Sequence, residues 1–131
     1  MEYETKPSGS RALFWTGWVL SILAALALLM SGIMKFLPIT PETEQGLQHV
    51  GWRADQVTTI GIVEILCVLI YLIPQTALLG AILVTGFMGG AIATHVRVGD
   101  PFIVQAIIPV LFWLGLWLRE PRLRALLPLR R

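Results

Sequence analysis

The sequence predicts an all-α integral membrane protein, a four-helix bundle with both termini in the cytoplasm. Three observations lead there. Apolar residues make up 56% of the 131-residue chain and charged residues only 14%, too few to coat so small a soluble domain. Four apolar stretches, at 13–34, 57–73, 77–94 and 102–118, match the roughly 17–25 residues that cross a hydrocarbon core. The basic residues gather on one side of the topology those stretches define. Mean hydropathy is +0.75, which also excludes an intrinsically disordered chain.

The first span, 13–34, carries no charge. Lys6, Arg11 and the Ala25-Leu26-Ala27 box imitate a signal peptide. The apolar run continues through Leu28, Leu29, Met30 and Ile33, beyond the roughly 7–15 residues of a signal core, so the helix is expected to stay. Gly17, Ser21 and Ala25 form a small-residue stripe that lets another helix approach closely.

The one long connection, 35–56, is expected on the outer side. Thr40-Pro41-Glu42 opens a short helix there, with Glu44 in its first turn and Gly51 at its end. Leu47 and Val50 are expected to seat it on the membrane surface. The second span, 57–73, contains a single charge, Glu64. Pro74-Gln75 joins it to the third span, 77–94, in a tight antiparallel hairpin, with Thr76 as the expected cap.

The third span carries two stripes of small residues: Ala81, Thr85, Gly89 and Ala93, then Gly86, Gly90 and Thr94. They predict a central helix held by close packing within the bundle, with a homodimer seam as the alternative. Asp100-Pro101 reads as N-cap and first residue of the fourth span, 102–118, which Pro109 is expected to kink.

Residues 1–12 and 119–131 form the tails. Lys6, Arg11, Arg119, Arg122, Arg124, Arg130 and Arg131 put seven of the ten basic residues on the tail side; Lys35, Arg53 and Arg97 lie opposite. The positive-inside rule therefore predicts cytoplasmic tails and an inner-membrane location. Trp15, Trp18, Tyr71 and Trp117 are expected in the aromatic belt at that face. The 119–124 run reads as a topology anchor near anionic lipid, with partner docking as the alternative.

Glu64 is the most informative residue. A charge at the centre of a span costs about 2.5–3.5 kcal/mol on insertion scales. It lies about 10 Å from the outer end of its span at 1.5 Å per residue. Gly61, Cys67, Val68 and Tyr71 share its helix face, so it is expected to point into the bundle. Lys35, His95, Arg97 and Asp100 all fall at the outer ends of the helices and are expected to converge above it. A polar pocket for a small molecule or a proton is one reading; an ion pair that only fixes helix register is the other.

Several function classes fall away. One cysteine excludes an internal disulfide and any Cys-only metal site, and Cys67 reads as a small apolar filler. His49, His95 and Glu64 lack metal-ligand spacing, so no metal is expected. A net charge of +2 does not suggest nucleic acid, and neither a phosphate loop nor a nucleophile elbow is present.

The chain also resembles the DoxX-like family of small four-helix bacterial membrane proteins. The marks are Ser31-Gly32-Ile33-Met34-Lys35, Gly61-Ile62-Val63-Glu64, Leu72-Ile73-Pro74 and Leu79-Gly80-Ala81-Ile82. Gly89-Gly90-Ala91-Ile92-Ala93-Thr94-His95-Val96-Arg97, Gly99-Asp100-Pro101 and the 122–128 tail complete them. The wider family is named for a subunit linked to thiosulfate:quinone oxidoreductase. On that resemblance the ligand-binding candidates are Lys35, Glu64, Thr94, His95, Arg97 and Asp100. The expected function is a small-molecule-binding or quinone-linked accessory subunit without independent catalysis. Its partners would be the bilayer, a small apolar or redox-active ligand, and a second copy or a membrane complex. A small proton-coupled transporter and a ligand-free assembly protein are the alternatives.

Overall fold

The computed structural model describes residues 8–130, and all regular structure among them is helical. Lys6 and Arg131 lie outside the described residues. Six α-helices follow in order: α1 Ser8–Met34, α2 Pro41–Val50, α3 Ala54–Leu72, α4 Ala77–Arg97, α5 Ile103–Arg119 and α6 Pro121–Arg124. By length and composition, α1, α3 and α4 can each cross a bilayer; α5 is apolar but has only 17 residues.

The four long helices close a ring. α1 packs on α3 and α5, and α4 packs on the same two. Successive helices run antiparallel, so the bundle has a Lys35 end and an Arg119 end. Its core is apolar and tight: Leu28, Val68, Val84, Phe112 and Leu116 meet there with Ala25 and Ala81. The outward faces are apolar too, with Leu23, Met30, Leu66, Ile82 and Val110 exposed. A soluble fold would place charge there; a bilayer accepts these faces.

Glycine decides where backbones meet. A Cβ on Gly17 would stand 2.6 Å from the Gly115 carbonyl oxygen, and one on Gly61 3.1 Å from the Gly32 carbonyl oxygen. At Gly80 it would collide with the Tyr71 backbone. The α1 stripe of Gly17, Ser21 and Ala25 is wholly buried. The α4 stripes behave differently from expectation. Only Ala81 is buried; Thr85, Gly86, Gly89, Gly90 and Ala93 are exposed, and no neighbour stands within 4 Å of a Cβ on Gly86, Gly89 or Gly90. Thus α4 is one side of the ring, not its centre. Its buried face is the neighbouring line of Ala77, Ala81, Val84 and Met88.

Two further expectations are corrected, at Asp100 and Tyr71. Thr76 is the N-cap of α4, as expected, but its hydroxyl makes no capping bond: it donates to the Ile70 carbonyl at 2.7 Å and closes α3. Asp100 does not cap α5, whose N-cap is Phe102. Gly99, at φ 77°, ends α4: its N–H reaches the Val96 carbonyl and the Asp100 N–H reaches His95. This Schellman closure commits the Asp100 backbone to the preceding helix. Tyr71 is no interfacial ring: it is 0% exposed, stacked edge-on against Phe112. α5 continues through Pro109 as one helix.

Candidate functional site

The Lys35 end of the bundle holds a buried ion pair. α1 tightens into a turn at its end, with the Lys35 N–H on the Gly32 carbonyl at 3.2 Å. Gly32 and Gly61 let α1 and α3 cross there, since a Cβ on Gly61 would also stand 3.1 Å from Lys35 Cβ. Lys35 Nζ therefore reaches the middle of α3 and donates to Glu64 Oε1 at 2.7 Å. Glu64 is 1% exposed, whereas the Lys35 side chain is 27% exposed. The face of α3 that carries Glu64 is the buried one, with Gly61, Cys67, Val68 and Tyr71.

The hydrogen-bond inventory of the pair is asymmetric. The ammonium has three donors. They meet Glu64 Oε1, Ser31 Oγ at 3.0 Å and the Ser31 carbonyl at 3.4 Å. Glu64 Oε2 is buried and has no hydrogen-bond partner among the described residues. The pair is thus saturated as a donor and open as an acceptor.

The other four expected residues act elsewhere. Thr94 donates to the Gly90 carbonyl of its own helix at 2.9 Å. His95 Nδ1 bonds the Ala91 carbonyl at 2.7 Å, so that nitrogen carries the proton, and Nε2 faces the Gln105 amide at 3.5 Å. Asp100 takes His49 Nε2 with both oxygens, at 2.9 and 3.0 Å. Arg97 donates to the Val50 carbonyl. Asp100 and Arg97 therefore both hold the last turn of α2: one grips its histidine, the other caps its C-terminus. Leu47 and Val50 are the half-buried residues of α2.

The sequence reading passed over Ser31 as a partner, although it lies four residues before Lys35 on the same face. It also gave no role to Gln105, nor to a polar chain at the Arg119 end. There Arg119 Nε donates to Ser21 Oγ at 3.1 Å. Tyr71 donates its only proton to the Phe112 carbonyl at 2.6 Å, so Ser21 must donate to Tyr71 across their 2.9 Å contact.

A model of the DoxX-like family matches residues 19–118. The chain belongs to the DoxX-like family. With its several apolar helices, this DoxX-like protein is a membrane protein. The matched stretch contains every residue of both polar clusters except Arg119. No curated protein and no solved structure matched the chain.

A separate cavity of about 600 Å³ opens on the α4–α5 side, lined by Thr85, Val110, Trp113, Trp117 and Leu127 among others. It does not reach Glu64. Its two indoles are already bonded, Trp113 to Thr85 Oγ1 at 2.6 Å and Trp117 to the Leu127 carbonyl at 2.9 Å. It is an apolar surface groove, whereas the buried ionisable groups lie at the two ends of the bundle, Lys35 and Glu64 at one and Arg119 at the other.

Proposed function

We propose that this DoxX-like protein is a small-molecule-binding accessory subunit of the bacterial inner membrane. In this reading all four long helices span the bilayer. Both tails lie in the cytoplasm, because basic residues gather at the Arg119 end. The site is the Lys35–Glu64 pair in the outer half of the bundle.

One observation carries the reading: Glu64 Oε2 is buried and has no partner among the described residues. An unsatisfied buried acceptor costs about 1–3 kcal/mol, more when charged. A ligand hydroxyl or amine removes that cost. The saturated Lys35 ammonium has no proton left to offer, so the pair selects a hydrogen-bond donor. Among redox-linked molecules this fits the hydroxyl of a quinol and disfavours the carbonyl of a quinone. Lys35, itself fixed by Ser31, holds the carboxylate in place, and the surrounding apolar face suits a partly apolar ring.

The test uses the purified full chain in detergent. A short-chain benzoquinol, kept reduced, and the matching benzoquinone are titrated while tryptophan fluorescence is followed. The quinol is expected to bind more tightly, and Glu64→Gln to weaken it about tenfold, the value of one charge-assisted hydrogen bond. Equal binding of quinol by wild type and a folded Glu64→Gln variant overturns the assignment.

A further inference from the structure

A second buried charge lies at the opposite end. Arg119, the last residue of α5, is 9% exposed. Its place is built by neighbouring residues. A Cβ on Gly17 would stand 2.9 Å from Arg119 Cβ, so α1 can lie against the arginine stem only with glycine there. Ser21 Oγ fixes Nε. The guanidinium carbon lies 3.9 Å from the centre of the Trp18 ring and 5.4 Å from that of Tyr71. Ser21 is itself fixed by the bond it donates to Tyr71, so the whole head is held in one orientation.

The charge held there has no counter-ion among the described residues. No carboxylate among the described residues pairs with Arg119. The adjacent Glu120 instead takes Arg122 Nε at 3.0 Å, and that hydrogen bond holds its carboxyl below the usual range. Among the described residues the buried Nη2 has no hydrogen-bond partner, and neither has Nη1. The stacked Trp18 face and the C-terminal dipole of α5 favour a cation. Neither occupies the four N–H donors on the two Nη atoms. Those donors form a planar fork, and a fork of this kind matches two oxygens of a tetrahedral oxyanion.

We propose that Arg119 anchors a phosphate-binding site, in which the Nη1–Nη2 edge takes two oxygens of a phosphate group. The site lies in the last turn of an apolar helix and is followed by the exposed Arg122 and the half-buried Arg124. That is the depth of the headgroup phosphates of an anionic phospholipid. A soluble phosphate compound carries the same chemistry, and the experiment separates the two sources.

The purified full chain is delipidated in detergent. Its thermal midpoint is then measured with added phosphatidylglycerol, phosphatidylcholine or inorganic phosphate. Wild type is expected to rise with phosphatidylglycerol and less with phosphatidylcholine, whose phosphate offers the same two oxygens but is neutralised by its own choline. Arg119→Lys keeps the charge but not the fork, and is expected to need about tenfold more phosphatidylglycerol for the same rise. Arg122→Gln, an exposed site, is expected to respond as wild type does. A rise with inorganic phosphate that matches the phosphatidylglycerol response supports the site and assigns it to a soluble phosphate compound. No rise with either anion overturns the proposal. So does an equal weakening in Arg119→Lys and Arg122→Gln, which is the mark of diffuse surface charge. If Arg119→Lys does not fold, Trp18→Leu, which unseats the guanidinium, is measured instead. An unchanged phosphatidylglycerol response in that variant also overturns the proposal.

Discussion

Lys35 and Glu64 close a 2.7 Å ion pair between the end of α1 and the middle of α3, and only one of the two carboxylate oxygens takes part. Breaking a buried pair from one side leaves an uncompensated charge, at about 3–5 kcal/mol when both groups are fully buried. Lys35 retains some exposure, so Glu64→Ala is expected near the lower end, about 3 kcal/mol. Lys35→Met with Glu64→Leu removes both charges and is expected to recover most of the loss. Unfolding in detergent of Lys35→Met, Glu64→Leu and the double variant measures the coupling. Losses that simply add would show that the pair contributes no mutual stabilisation.

The glycines of α4 make opposite predictions according to their face. Gly80→Ala drives a methyl group into the Tyr71 backbone and should open the α3–α4 hairpin. The cost is expected at about 1–3 kcal/mol or more, since backbone has little room to give. Gly89→Ala meets open space and is expected within about 1 kcal/mol of wild type. Thermal midpoints of both variants in one detergent make the comparison. A large fall for Gly89→Ala would mean that a second copy covers this face.

The second pair of positions shows where sequence reading stops. A small-residue stripe reports that a helix can be approached closely, but not which neighbour does so. The α1 stripe and the α4 stripes look alike in sequence, yet only the first is buried throughout. The face of α3 was legible because a lone acid in an apolar span has one tolerable direction, and Gly61, Cys67, Val68 and Tyr71 follow from helical period. Topology likewise places Lys35, His95, Arg97 and Asp100 at one end. It does not fix their azimuth, and there Arg97 and Asp100 turn to α2 rather than to Glu64. The α2 boundaries were readable from Thr40, Pro41 and Gly51, whose capping chemistry is local.

Those two contacts make α2 a latched element. Its other side chains are mostly exposed, so its position depends on His49–Asp100 and Arg97–Val50. Asp100→Ala together with Arg97→Ala is expected to raise amide hydrogen exchange in α2 at least tenfold. That corresponds to losing about 1.4 kcal/mol of local stability. Exchange around Glu64 should not change. Unaltered exchange in α2 would show that Leu47 and Val50 suffice to hold it.

The chain from Arg119 through Ser21 to Tyr71 yields a ranking rather than one value. Tyr71→Phe removes a hydroxyl, but the Ser21 proton can turn to the carbonyl four residues back in its own helix. The Phe112 carbonyl also keeps its ordinary place in α5. The expected cost is therefore about 1 kcal/mol. Ser21→Ala removes the acceptor of a buried guanidinium and the donor to Tyr71 together. A hydrogen bond to a charged group contributes about 1.5–3 kcal/mol, so this variant is expected to lose more than Tyr71→Phe. Both are measured by unfolding of the delipidated protein. Equal losses, or a larger one for Tyr71→Phe, would show that Arg119 gains nothing from Ser21 and is held in place by Trp18 alone.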